Sequence, residues 1–83
     1  MTELTDRQVN ILRAVVEEYT NTGEPVGSDT LDKKYNLGVS PATIRNEMGY
    51  LTKLGYLTQP HTSAGRVPSA STIKLVSYIP RLR

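Results

Sequence analysis

Arg45, Asn46, Tyr50 and Lys53, with the small residues Ala42 and Gly49 between them, are the residues of this chain whose types and spacing could do chemistry. An arginine can bond bidentately to guanine and an asparagine to adenine. Lysine and tyrosine can hold phosphate oxygens, and small residues let a backbone approach a groove. Ser40 and Thr43, just before this set, could reach phosphate from a helix start. A second group lies downstream. Arg66 follows His61, Thr62, Ser63 and Gly65, which places one cation beside small hydrogen-bonding residues. An arginine in such a loop suits a minor groove or a phosphate. The chemistry indicated is contact with a polyanion.

Other chemistries find little support. His61 is the sole histidine and there is no cysteine, so a metal site lacks a second strong ligand. A His61–Ser63 nucleophilic pair lacks a third orienting group. No catalytic residue, metal or cofactor is expected, and the chain does not read as an enzyme. Eighty-three residues suffice for one modest core, burying roughly 60–65% of the unfolded surface. Without cysteine no disulfide framework exists, which fits a reducing cytoplasm. The start, Met1 to Asp6, lacks the basic and apolar run of a signal peptide, and no apolar stretch approaches the roughly 18 residues of a membrane span.

Charge is divided unevenly. The net charge is +2, yet residues 1–40 carry four basic against seven acidic residues, and residues 41–83 carry six basic against Glu47 alone. Such asymmetry fits a side that faces a polyanion, and charge alone fits equally well a dipolar surface with no partner.

The elements that must position these residues are punctuated clearly. Thr5 and Gln8 form a capping box, and Leu4 with Val9 a hydrophobic staple, at the start of a first helix. Leu12, Val15, Val16 and Tyr19 continue it at helical spacing, and Thr20 to Gly23 end it. Pro25 favours an extended connection in which Val26 adds a rung to a small sheet. Ser28 is expected to cap a second helix, Asp29 to Tyr35, with Leu31 and Tyr35 inward. Asn36 to Val39 make a turn. Ser40 as cap and Pro41 at the first position open a third helix, to about Leu54, with Gly55 as its expected cap. Two helices joined by a short turn are a helix-turn-helix.

Ile44, Met48, Leu51 and Leu54 form the third helix's apolar stripe. With Ile44 at 0°, Met48 and Leu51 fall within about 40° at 100° per residue. Ala42, Arg45, Asn46, Gly49, Tyr50 and Lys53 fall on the opposite half, and Glu47 lies on the flank. Tyr56 to Gln59 then read as a strand, Pro60 to Gly65 as a loop, and Arg66–Val67 as a returning strand stopped by Pro68. That hairpin has the place of a wing. The fold class expected is mainly α with a small β-hairpin wing, a winged helix-turn-helix over residues 1–68. Residues 69–83 read as a tail with a short helix capped by Ser71, in which Ile73, Val76 and Ile79 face one way.

The strings Glu24-Pro25-Val26-Gly27-Ser28, Ser40-Pro41-Ala42-Thr43-Ile44-Arg45-Asn46-Glu47-Met48, Leu54-Gly55 and Gln59-Pro60-His61-Thr62-Ser63-Ala64-Gly65-Arg66 resemble the N-terminal domain of the bacterial heat-inducible transcription repressor family HrcA. The resemblance covers about residues 4–68. It implies a winged-helix domain that binds an inverted-repeat operator in double-stranded DNA upstream of chaperone operons. It also implies a homodimer and activity that depends on the chaperonin machinery. The sequence departs from the family pattern in being neutral or basic at Tyr50, Thr52 and Lys53, near which acids are usual, and in following it poorly after Pro68. The family's large C-terminal dimerisation domain has no counterpart in these residues. The alternative function is a winged-helix module for protein contact, since fold does not fix function. Such a module should expose apolar anchors, and only Tyr50 qualifies. RNA binding is weaker still, because exposed aromatics for base stacking are not interleaved with the cations.

Overall fold

A reciprocal pair of hydrogen bonds sets where the first helix begins in the computed structural model, which describes residues 4–60 and 64–78. The Thr5 hydroxyl accepts from the Gln8 amide at 3.1 Å, and the Gln8 side chain accepts from the Thr5 amide at 2.9 Å. Two of the amides that a helix start leaves unpaired are thereby satisfied. α1 (Asp6–Thr22) follows and ends at Gly23. It buries Ile11, Leu12, Ala14 and Val15.

The chain leaves α1 extended. The Val26 amide donates to the Arg66 carbonyl and the Arg66 amide to the Val26 carbonyl, each at 2.8 Å. This is the extra rung expected of Val26. It also moves the start of the next helix. With Val26 held in a bridge, Gly27 is the first residue that can turn, so Gly27 caps α2 (Ser28–Lys34) and Ser28 lies inside it. The Ser28 cap predicted by the sequence is therefore corrected by one residue. Leu31 is fully buried and Tyr35 packs partly buried against the core.

α3 (Pro41–Lys53) opens as predicted, with the Ser40 hydroxyl accepting from the Thr43 amide at 3.2 Å and Pro41 in the first turn. Ile44, Met48 and Leu51 are buried. Leu54 is not: it is 49% exposed, because 80° from the stripe's centre it has left the packed side. Leu54 is itself the cap residue, and Gly55 follows it at φ +91, a conformation that glycine alone adopts without strain.

β1 (Leu57–Thr58) pairs antiparallel with β2 (Val67–Pro68), Leu57 opposite Pro68 and Thr58 opposite Val67. Pro68 thus ends the strand from within it, which an edge strand tolerates because no ladder amide is needed there. Ser69, not Ser71, caps α4 (Ala70–Ser77), its hydroxyl accepting from the Thr72 amide at 3.2 Å. The Ser69 amide in turn donates to the Tyr56 carbonyl at 3.1 Å, so the strand end chooses the cap. The register shifts accordingly. Thr72 and Val76 turn inward, Ile73 is 40% exposed, and Ile79 lies outside the described residues. α4 packs on α1, and α1 also touches α3 and β2. One core joins all of them, from Ile11 through Leu31, Ile44, Leu51 and Leu57 to Val76.

Candidate nucleic-acid interface

The burial of Ile44, Met48 and Leu51 aims the other side of α3 at solvent. Ser40, Ala42, Arg45, Asn46 and Lys53 are exposed, Thr43 and Gly49 are half-buried, and Tyr50 is 51% exposed. The side chains of Arg45, Asn46, Tyr50 and Lys53 make no hydrogen bond or ion pair to another described residue. The Ser40 hydroxyl donates to the Thr43 hydroxyl at 3.1 Å, so this pair first organises the helix start.

Glu47 is treated differently. Its side chain is only 17% exposed and accepts from Arg7 Nη1 at 3.3 Å and from Gln8 Nε2 at 3.1 Å. Such a half-exposed pair contributes little stability, about 0–1 kcal/mol. Its effect is directional: the acid of α3 is drawn toward α1, leaving the outer face with two cations and an amide. This partnership has no signal in the sequence, since Arg7 and Glu47 are far apart along the chain.

Across from Arg45 stands the root of the wing. Arg66 Nε donates to Thr52 Oγ1 at 2.9 Å, and Arg66 Nη1 donates to the Ala64 carbonyl at 2.9 Å. Thr52 donates its own hydroxyl proton to the Met48 carbonyl at 2.7 Å. Between the start of α2, α3 and the wing lies an open concavity of about 400 Å³, lined in part by Ser28, Arg45, Met48, Gln59 and Arg66. Arg45 and Arg66 therefore border the same hollow. His61, Thr62 and Ser63, the rest of the predicted wing contacts, lie outside the described residues.

Two residues that position this site do not stand out in the sequence. Thr52 is marked in the sequence only as a departure from the family's acids, with no sign of a role in placing the wing. Gly65 is buried, and a Cβ on it would fall 2.8 Å from Pro25 Cβ and 2.9 Å from the Pro25 carbonyl carbon. The sequence places it in the loop of the wing, where a glycine can mark a close backbone approach. On the far side, Glu18 is buried and accepts from Lys34 Nζ at 2.8 Å and from the Tyr35 hydroxyl at 3.3 Å. Burial, then the charges of Glu17 and Glu18 and the bond to Glu18, push the Tyr35 hydroxyl up to about 12. This cluster ties the end of α2 to α1.

Among the described residues no group of three or more His, Cys, Asp or Glu could hold a metal ion, and no helix is long and apolar enough to cross a membrane. Two helices joined by a turn, packed on a third and followed by a two-stranded hairpin, make a winged helix-turn-helix domain. The chain belongs to the family described as the winged helix-turn-helix transcription repressor, HrcA DNA-binding, whose model matches residues 3–79. The match runs on through α4, beyond the residues 4–68 over which the sequence is expected to follow the family pattern. The chain is similar to the heat-inducible transcription repressor HrcA of Clostridium perfringens strain 13, at 58% identity over 79 residues, covering 95% of this chain and 23% of the relative. It is 65% identical over 66 residues to HrcA of Symbiobacterium thermophilum, covering 80% of this chain and 19% of the relative. A crystal structure of a hypothetical protein at 2.2 Å resolution superposes with a TM-score of 0.85 at 43% identity, covering 89% of this chain and 24% of that one. The chain thus spans under a quarter of the length of these relatives.

Proposed function

We propose that this domain reads double-stranded DNA in a transcription repressor of heat-shock and chaperone genes, with α3 in the major groove and the wing on the flanking backbone or minor groove. The observation that carries the reading is the outer face of α3, where Arg45, Asn46 and Lys53 are exposed and hold no described partner. An α-helix with side chains is about 10–12 Å across and the major groove about 12 Å wide, so Ala42 and Gly49 let the backbone come close. Arg45 and Asn46 take base edges. Lys53 and Tyr50 take phosphates, and Ser40 and Thr43 sit where the helix start meets the backbone. His61, Thr62 and Ser63 belong to the wing side, with Arg66 at the root of the wing. The reading needs no cofactor and no catalytic step. An inverted-repeat operator, a homodimer upon it, chaperonin-dependent activity and a cytoplasmic setting are proposed from the family resemblance.

The test is a fluorescence-anisotropy titration of the chain with two duplexes, one that the wild type selects from a randomised pool and one of mixed sequence, over a range of salt. Arg45→Ala should cost about 1–3 kcal/mol on the selected duplex and little on the other. Lys53→Ala should weaken both alike and flatten the slope of log affinity against log salt by about 0.9. Equal affinity of wild type and Arg45→Ala would remove Arg45 from base reading. One observation favours the protein-contact alternative: Leu54, 49% exposed, lies one turn from Tyr50, so α3 shows two apolar side chains rather than one. Failure of the wild type to bind any duplex at low salt would favour that alternative.

A further inference from the structure

Arg66 is fastened on three sides. Its backbone bridges Val26 through two bonds of 2.8 Å. The glycine before it presses on Pro25 so closely that a Cβ would collide with it. Its side chain reaches α3 through Thr52. The three attachments meet where the α1–α2 connection, the wing and the recognition helix converge.

The bond to Thr52 is directed. A threonine hydroxyl carries one proton and two lone pairs. Thr52 gives that proton to the Met48 carbonyl at 2.7 Å, and so receives Arg66 Nε on a lone pair at 2.9 Å. The order Arg66 to Thr52 to Met48 admits no reversal, because a guanidinium only donates. Arg66 Nη1 is held as well, by the Ala64 carbonyl, so the plane of the guanidinium is set by protein atoms. Thr52 lies at about 80° on the α3 wheel, next to Arg45 at 100°. The bond therefore sets how far the wing stands from the side of α3 that carries Arg45.

We infer that Arg66 is a positioning residue, a strut that acts through Thr52 to hold the wing at a set distance from the recognition helix, and not a phosphate contact. The inference rests on the DNA-reading function proposed above. It separates two roles that an arginine in a wing could have. A phosphate contact contributes to affinity on any sequence and to the salt slope. A strut contributes where helix and wing must engage together, on the selected duplex, and leaves the slope alone.

The experiment uses the whole chain and the two duplexes named above, with Thr52→Val, Thr52→Ser, Arg66→Gln and the Thr52→Val/Arg66→Gln double variant. Thr52→Val should bind the selected duplex about tenfold more weakly, with little change on mixed sequence and an unchanged salt slope. Arg66→Gln should match it. The double variant should be no more than about twofold weaker than either single, since both break one interaction. Thr52→Ser, which keeps the hydroxyl, should bind as the wild type does. In the free chain, Thr52→Val and Arg66→Gln should also speed hydrogen exchange at the Val26 and Arg66 amides, a readout that needs no DNA. Wild-type binding with Thr52→Val silent, and Arg66→Gln lowering the salt slope by about 0.9, would overturn the inference and leave the DNA-reading function standing. Amide exchange unaltered in both single variants would overturn it too. A wild-type chain that binds neither duplex would overturn the DNA-reading function, and this inference with it.

Discussion

Arg45 and Glu47 stand two positions apart on α3, and the fold gives them opposite roles. Arg45 is left to solvent, whereas Glu47 is folded back onto Arg7 and Gln8. At Gly65 the demand is for space. A methyl there meets Pro25 backbone at 2.9 Å, and backbone cannot yield as a flexible side chain would. Gly65→Ala should cost about 1–3 kcal/mol, as overpacking does, seen as a lower midpoint in a urea melt. An unchanged midpoint would show that the wing root can shift freely. Tyr35 supplies a prediction about pH. Its hydroxyl is pushed up to about 12 from an ordinary 10.0, by burial first and then by Glu17 and Glu18. The unfolded chain releases this proton near the ordinary value while the folded chain retains it. The contribution is therefore complete below about pH 10 and is lost as pH rises toward 12. Ultraviolet absorbance titration should find one tyrosine ionising late, and Glu18→Gln should bring it part of the way back.

Elements as short as these need their ends defined. α3 begins at a serine cap followed by proline, so the outer face starts at a determined angle. Ser40→Ala should lower stability by about 1 kcal/mol, measured by thermal melting. Because the same substitution leaves Arg45 and Lys53 in place, the salt slope of DNA binding should not move. The wing is the opposite case. Two residues per strand make a hairpin too small to stand alone in water. It persists because Val26 adds a rung, Leu57 is buried in the core and Arg66 reaches α3. α3 owes its start to local chemistry and the wing owes its form to its neighbours.

At the scale of the whole molecule, size limits what one copy can read. The domain measures 31 × 26 × 24 Å. Half-sites of an inverted repeat bound by helix-turn-helix proteins lie about 34–36 Å apart, centre to centre. On the DNA-reading function proposed above, one copy is too short to span both half-sites. Sedimentation with a duplex that carries an inverted repeat of the selected sequence should therefore give two chains per duplex, and a duplex with one half-site should give one. A single chain saturating the inverted repeat would count against two-fold reading. The core also runs through α4, since Val76 packs with Ile11 and Leu57 in the same cluster. The segment after Pro68 is thus part of the packed unit as far as Ser77.

The features legible in the sequence share a short range. The caps at Thr5 and Ser40 link residues three apart, and the outward face of α3 follows from the helical period within three turns. Backbone geometry alone enforces such relations, so residue types in one window determine them. The tertiary structure decided the rest. Arg66 meets Thr52 across 14 residues, Lys34 meets Glu18 across 16, and Arg7 meets Glu47 across 40. Ser69 rather than Ser71 caps α4 because the carbonyl of Tyr56 holds the Ser69 amide. In each case two polar groups pair only because burial of Ile11, Ile44, Leu51 and Leu57 has first brought their elements together. By itself the sequence determined which face of α3 turns to solvent, the face proposed above to read DNA. Packing alone decided that Glu47 would be withdrawn from that face and that Arg66 would brace the wing beside it.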